Sequence, residues 1–154
     1  MKKLLQKRLK NEKGLTLVEL LAVIVILGII AAIAVPAIGG IIENSRVKAI
    51  KADALNALSA ADLYFIDKEI KEDDKPSVKV SELVSSGYLD NAGAFETDED
   101  AAVTISATDS KTIKAFSGSG TNSSVSLEFT NATKEDINKA TEVKSGGAIP
   151  PKEQ

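Results

Sequence analysis

From Leu15 to Ile42 the chain is apolar almost without interruption, and beyond it the apolar residues regroup at spacings of three and four. The first stretch exceeds the roughly 20 residues that span a bilayer as a helix. Pro36 and the pair Gly39-Gly40 interrupt it. Pro36 lacks the N–H that would bond the carbonyl of Ala32, so a kink or loosened turn is expected there. From Glu43 to about Lys71, the residues Val47, Ile50, Ala54, Leu58, Ala61 and Phe65 fall on one helical face. Lys48, Lys51, Asp62 and Lys68 largely decorate the others. A helix from Leu15 to the low seventies would be about 80–90 Å long at 1.5 Å per residue. Its first half is greasy throughout and its second half amphipathic, which makes it a spine.

The acidic run Lys71-Glu72-Asp73-Asp74-Lys75-Pro76 is expected to end this spine. Val80 to Gly87 then reads as a short helix with Gly87 as its stop. Three segments alternate with period two: Val103, Ile105 and Ala107; Ile113 and Ala115; Val125, Leu127 and Phe129. Such alternation predicts half-buried antiparallel strands. Asp109-Ser110 is a tight-turn candidate, and Ser117 to Asn122 reads as a looser connection. Thr133 to Ala140 is expected to form a last short helix, and the ending an irregular, mobile tail. The fold class is therefore α+β, a long N-terminal helix packed through its amphipathic half on an antiparallel sheet of about three strands. The segments are 1–14, a basic leader; 15–42, the apolar helix; 43–74, its continuation; 75–145, a head; and 146–154, a flexible tail.

Charge sharpens this division. Residues 1–14 carry six basic side chains against Glu12, a net of +5, while the rest holds 13 basic and 21 acidic side chains, a net of −8. Basic residues before an apolar helix resist translocation, so the N-terminus is expected in the cytoplasm and the acidic head outside. The 154 residues hold no cysteine and no histidine. That excludes thiol catalysis, cysteine metal sites, a lipoprotein-type anchor and the commonest general base. With four Phe, two Tyr and no Trp, the head is expected to rely on aliphatic packing. No carboxylate pair suggests a hydrolytic cleft, so no catalysis is expected. An outer domain with a net of −8 does not suit nucleic acid, despite Lys111 and Lys114 on one strand. The clusters Glu72-Asp73-Asp74 and Glu96 to Asp100 lack an EF-hand pattern and read as solvated surface. Neither a metal nor a cofactor is expected.

One acid stands out inside the apolar run. Glu19 would cost roughly 2–3 kcal/mol near the end of a membrane helix, even on mild insertion scales. A small residue, Gly14, precedes the run, whereas a secretory signal places its cleavage site after the apolar core. If a protease cuts after Gly14, the helix stays in the mature protein. The new α-amine on Leu15, ordinarily of pKa about 8, would then sit one turn from Glu19. A neighbouring parallel helix, shifted along the axis, could bring that amine to Glu19. Lateral assembly follows, with Glu19 setting the register.

The basic leader, Gly14 and the run from Leu15 through Glu19 and Gly28 to Pro36 strongly resemble the N-terminal segment of type IV pilins and related pseudopilins. The resemblance covers about residues 8–46, and beyond Arg46 it is only architectural. It implies cleavage after Gly14 by a prepilin peptidase, N-methylation of Leu15, and contact between Glu19 and a neighbour's N-terminus. It implies helix loosening between Gly28 and Pro36 in the assembled filament. Leu15 departs from the Phe or Met more usual at the first mature position. The missing disulfide points to a Gram-positive or other cysteine-poor relative, and Glu19 with an ordinary length favours a major pilin, so the resemblance implies a Gram-positive major pilin. The implied protein is a pilus subunit, held in the cytoplasmic membrane before assembly and displayed on the cell surface after it. Its implied partners are its own copies, the peptidase, an assembly platform with its ATPase, and minor pilins. Filaments of this family serve adhesion, motility, biofilm formation or DNA uptake. A pseudopilin of a secretion or DNA-uptake machine would share these features. An uncut, signal-anchored binding protein is the alternative of another class.

Overall fold

Helix α1 runs from Lys2 to Asp67 as one element of 66 residues. The computed structural model describes residues 2–69, 76–108 and 111–150, with side chains described outside 2–16 and 106–112. The acidic run at 71–75 and the turn at Asp109-Ser110 lie outside the described residues. The chain divides into two compact units, Met1–Ile41 and Ile42–Gln154.

In the second unit, the six positions expected on one face of α1 are all buried, from Ile50, Ala54 and Ala61 at 0% to Val47 at 6%. Ala57 and Ala60 extend the same face. The helix ends before the low seventies. Lys68 N–H still donates to the Tyr64 carbonyl, but Glu69 N–H reaches only Ile66, and Glu69 adopts φ +49°. A left-handed residue cannot continue a right-handed helix.

Strand β1 (Ser77–Lys79) leads directly into helix α2 (Val80–Ser85). Helix α2 closes as expected at Gly87, which has φ +79°. Gly87 N–H donates to Val84 O and Tyr88 N–H to Leu83 O, the paired bonds of a Schellman motif. A 3₁₀ turn at Gly93–Phe95 follows, then strands β2 (Ala102–Thr108), β3 (Lys111–Asn122) and β4 (Val125–Thr133). Helix α3 (Lys134–Lys139) starts on a reciprocal capping box between Thr133 and Asp136. Strand β5 (Gly147–Ile149) completes the sheet.

The sheet has five strands, not three, in the order β1-β2-β3-β4-β5. Neighbours pair antiparallel except β4 and β5, which are parallel. Both missed strands are three-residue edges, too short for alternation to register. Each takes its conformation from its partner: Val78 pairs with Val103, and Ala148 with Glu128. Residues 147–149, expected within a flexible tail, instead form this edge strand. The larger surprise is Ser117 to Asn122, which belongs to β3 and reaches the hairpin turn at Ser123-Ser124.

Packing explains why this stretch carries turn-like residues. A Cβ on Gly120 would lie 2.5 Å from Ile50 Cγ2 and 2.8 Å from Phe95 Cε1. A Cβ on Gly118 would lie 2.8 Å from Ala101 Cβ. The glycines let helix and loop close onto the strand, so composition there reports close approach rather than a turn. A bulge between Phe116 and Gly118 shifts the register and leaves both Ala115 and Phe116 buried.

The core is less purely aliphatic than composition suggests. Phe95, Phe116 and Phe129 meet edge-to-face with centroids 4.6–5.7 Å apart. Leu83, Val103, Ile105, Leu127 and Ile137 belong to the same buried core. Because Ile50 and Phe95 cannot both retreat, Gly120→Ala is expected to cost about 1–3 kcal/mol by overpacking. Chemical denaturation should show a lower midpoint at an unchanged slope, and Gly146→Ala, where a Cβ meets nothing, serves as the comparison for an open glycine of left-handed conformation.

Candidate functional site

The candidate residues Gly14, Leu15, Glu19, Gly28 and Pro36 all lie on α1. The backbone at Gly14 and Leu15 is helical. Leu15 and Glu19 are four residues apart, so they share a face about 6 Å apart along the axis. Glu19 itself is exposed. From Leu17 to Ile42 every Leu, Val and Ile is exposed, between 45% and 72%. The helix includes an 18-residue window of mean hydropathy 3.0, none of it buried within the protein. So much apolar surface needs lipid or other protein to cover it.

Helix α1 passes through Gly28, Pro36 and the Gly39-Gly40 pair without a break. A proline removes a single backbone donor, at about 3 kcal/mol, and the neighbouring turns can keep their own bonds. A Cβ on Gly28, Gly39 or Gly40 would meet nothing within 4 Å. These glycines therefore answer no packing need within this chain.

The head has its own polar cluster. Tyr64 Oη donates to Glu82 Oε1 at 2.7 Å, and Tyr88 Oη donates to Asp67 Oδ2. The two rings sit edge-to-face at 5.4 Å. Each phenol is pushed above its ordinary value of 10, chiefly because the neutral form donates to a carboxylate. These are the chain's only tyrosines. Its phenolate absorbance is therefore expected to rise with midpoints above pH 10 in the folded protein and to move back toward 10 in strong urea. The linked stability has the matching sign: it is present below pH 10 and lost as pH climbs through the raised values. A folded protein that titrated at 10 would contradict both hydrogen bonds. Sequence reasoning missed this cluster, because nothing in the spacing of residues 64, 67, 82 and 88 brings them together.

The acidic clusters resolve into structural roles where they are described. Asp98 accepts from the N–H groups of Asp100 and Ser119, and Asp100 pairs with Lys79 at 3.2 Å. Lys114 lies 2.7 Å from Asp62. Its charge is thereby met within the head, which leaves less of it for phosphate. Among the described residues, no group of three or more acidic side chains is placed to hold a metal ion.

Residues 9–35 match a family described as the prokaryotic N-terminal methylation motif, which is the signal motif of type IV prepilins. No curated protein and no solved structure matches the chain. The motif supports a pilin-like or pseudopilin substrate of a prepilin peptidase. It spans Gly14, Leu15, Glu19 and Gly28 and ends just before Pro36. The motif and the exposed apolar helix together fit a membrane-anchored protein that becomes surface-exposed.

Proposed function

We propose that the chain is the structural subunit of a type IV pilus. The observation that carries this reading is the methylation motif at residues 9–35, set on a helix whose apolar side chains are uncovered from Leu17 to Ile42. Cleavage after Gly14 removes the basic leader and leaves Leu15 as a charged, then methylated, N-terminus. The apolar helix first anchors the subunit in the cytoplasmic membrane, with the acidic head outside. It then forms the filament core. Packed neighbours replace lipid around Leu17 to Ile42, and the Leu15 amine of one copy meets Glu19 of another. Moving a paired carboxylate out of lipid contact offsets part of what it cost to insert it. Glycines at 28, 39 and 40, unneeded within one chain, permit close approach of neighbouring helices.

This reading requires no cofactor and no catalytic residue. Its partners are further copies, the peptidase, and an assembly platform driven by an ATPase, with minor pilins at initiation. The same parts would serve a pseudopilin, whose filament is short and transient. Immunogold electron microscopy with antibody to the head separates the two. Long labelled surface fibres are the expected result, and label confined to the cell envelope would overturn the pilus in favour of the pseudopilin.

A further inference from the structure

The head carries a groove of about 440 Å³ between the middle of α1 and the loop that follows α2. It lies wholly within Ile42–Gln154 and owes nothing to the assembly residues. Asp53, Asn56, Ser59 and Leu63 supply one wall, and Tyr88 and Asn91 the other. Its volume falls in the range of small-ligand sites. Leu89, Ala60 and Ala92 complete an apolar floor, and Asp90 adds a second carboxylate. No cation lines it, so an anionic ligand would meet only repulsion.

Four lining side chains are held in place by bonds that do not involve any ligand, the first being Ser59, whose hydroxyl donates to the Leu55 carbonyl at 2.9 Å. Asp53 Oδ2 accepts Ala94 N–H at 2.9 Å. Asn91 Oδ1 accepts Gly93 N–H at 3.0 Å. The Tyr88 hydroxyl is fixed to Asp67. Gly93, at φ +56°, allows Asp53 to lie against its backbone, where a Cβ would come within 2.5 Å of the carboxylate. The groove is thus built from preorganised acceptors beside a fixed ring and small aliphatic surfaces. Fixed, directional acceptors lose little entropy on binding and suit ligands that present several hydroxyl donors in fixed directions. A compact cation gains less from them, because Asp53 already spends one oxygen on a backbone N–H. Ring and leucine surfaces suit the C–H faces of a pyranose.

We propose that this groove binds a neutral saccharide chain, with hydroxyls on Asp53, Asn56, Ser59 and Asn91 and a sugar face against Tyr88 and Leu63. In an assembled fibre or on the membrane, the head would then grip polysaccharide.

The test is amide chemical-shift titration of the full-length chain in detergent micelles with N-acetylglucosamine trimer and, separately, maltotriose. Saturable shifts grouped at residues 53–63 and 88–92 are expected. A response to the acetylated trimer alone would assign a wall-type or chitin-like glycan, and one to maltotriose alone a glucan; either supports a saccharide site. Asn56→Ala and Ser59→Ala, both on exposed side chains, are expected to weaken binding about tenfold each, the loss of one hydrogen bond to a rigid partner. An absence of shifts with both sugars, or shifts with a lysine pentapeptide in their place, overturns the proposal. Because filament assembly is not the readout, failure here leaves the pilus reading untouched.

Discussion

Gly14→Val is expected to leave most of the protein as uncut precursor in the membrane, with cleavage slowed about five- to 160-fold. At the proposed cleavage site the peptidase must approach the backbone closely, and Gly14 offers no side chain to oppose it. Valine adds a branched Cβ at the scissile residue. A clash of about 1–3 kcal/mol lowers the rate by roughly five- to 160-fold, at 1.36 kcal/mol per factor of ten. The helix itself is not harmed by the change. The backbone of α1 is already helical across residue 14, and valine is a better helix former than glycine. Insertion and helix content should therefore persist while processing slows. Immunoblotting of membranes for precursor and mature bands checks this. A normal mature band would place the cleavage elsewhere and remove the basis for Leu15 as the assembled N-terminus.

Glu19→Ala tests the next step. Within the membrane the substitution removes a carboxylate that costs roughly 2–3 kcal/mol, so insertion should be unchanged or improved. Within a filament it leaves the Leu15 amine of each neighbour buried without its partner. Breaking one half of such a pair costs about 3–5 kcal/mol, which raises the subunit concentration needed for growth at least a hundredfold. Sheared fibres should be absent, while cleaved, membrane-held subunit accumulates. Glu19→Gln should fail as well, because it keeps the shape and loses the charge. Normal fibres from either variant would sink the charge-pairing account but not the cleavage site.

Much of the molecule was legible because its signals are local. The apolar run, the basic leader, Gly14 and Glu19 form a linear pattern whose chemistry needs no folded neighbour to be read. The amphipathic face of α1 was equally plain, and all six residues from Val47 to Phe65 are buried. Helix α2 and its Gly87 stop follow from capping rules, as does α3 from Thr133. What escaped depends on residues far apart in the chain. Strands β1 and β5 are too short to carry a period of their own and exist through β2 and β4. The end of β3 looks like a loop until Ile50 and Phe95 are seen over Gly120. The Phe95, Phe116 and Phe129 cluster gathers side chains from a turn and two strands. The tyrosine–carboxylate pairs, 18 and 21 residues apart, and the groove join α1 to α2 and the loop after it.

The two ends of this account differ in kind. The motif supports a pilin-like or pseudopilin substrate of a prepilin peptidase. The head is a separate compact unit whose edge strands are short and whose groove lies apart from the motif residues.

The most direct measurement is mass spectrometry of the N-terminal peptide in material sheared from the cell surface. The account predicts a peptide that begins at Leu15, carries one added methyl group on its α-amine, and is abundant in the fibre fraction. An N-terminus still at Met1, found only in membranes, would contradict it and leave a signal-anchored protein in its place.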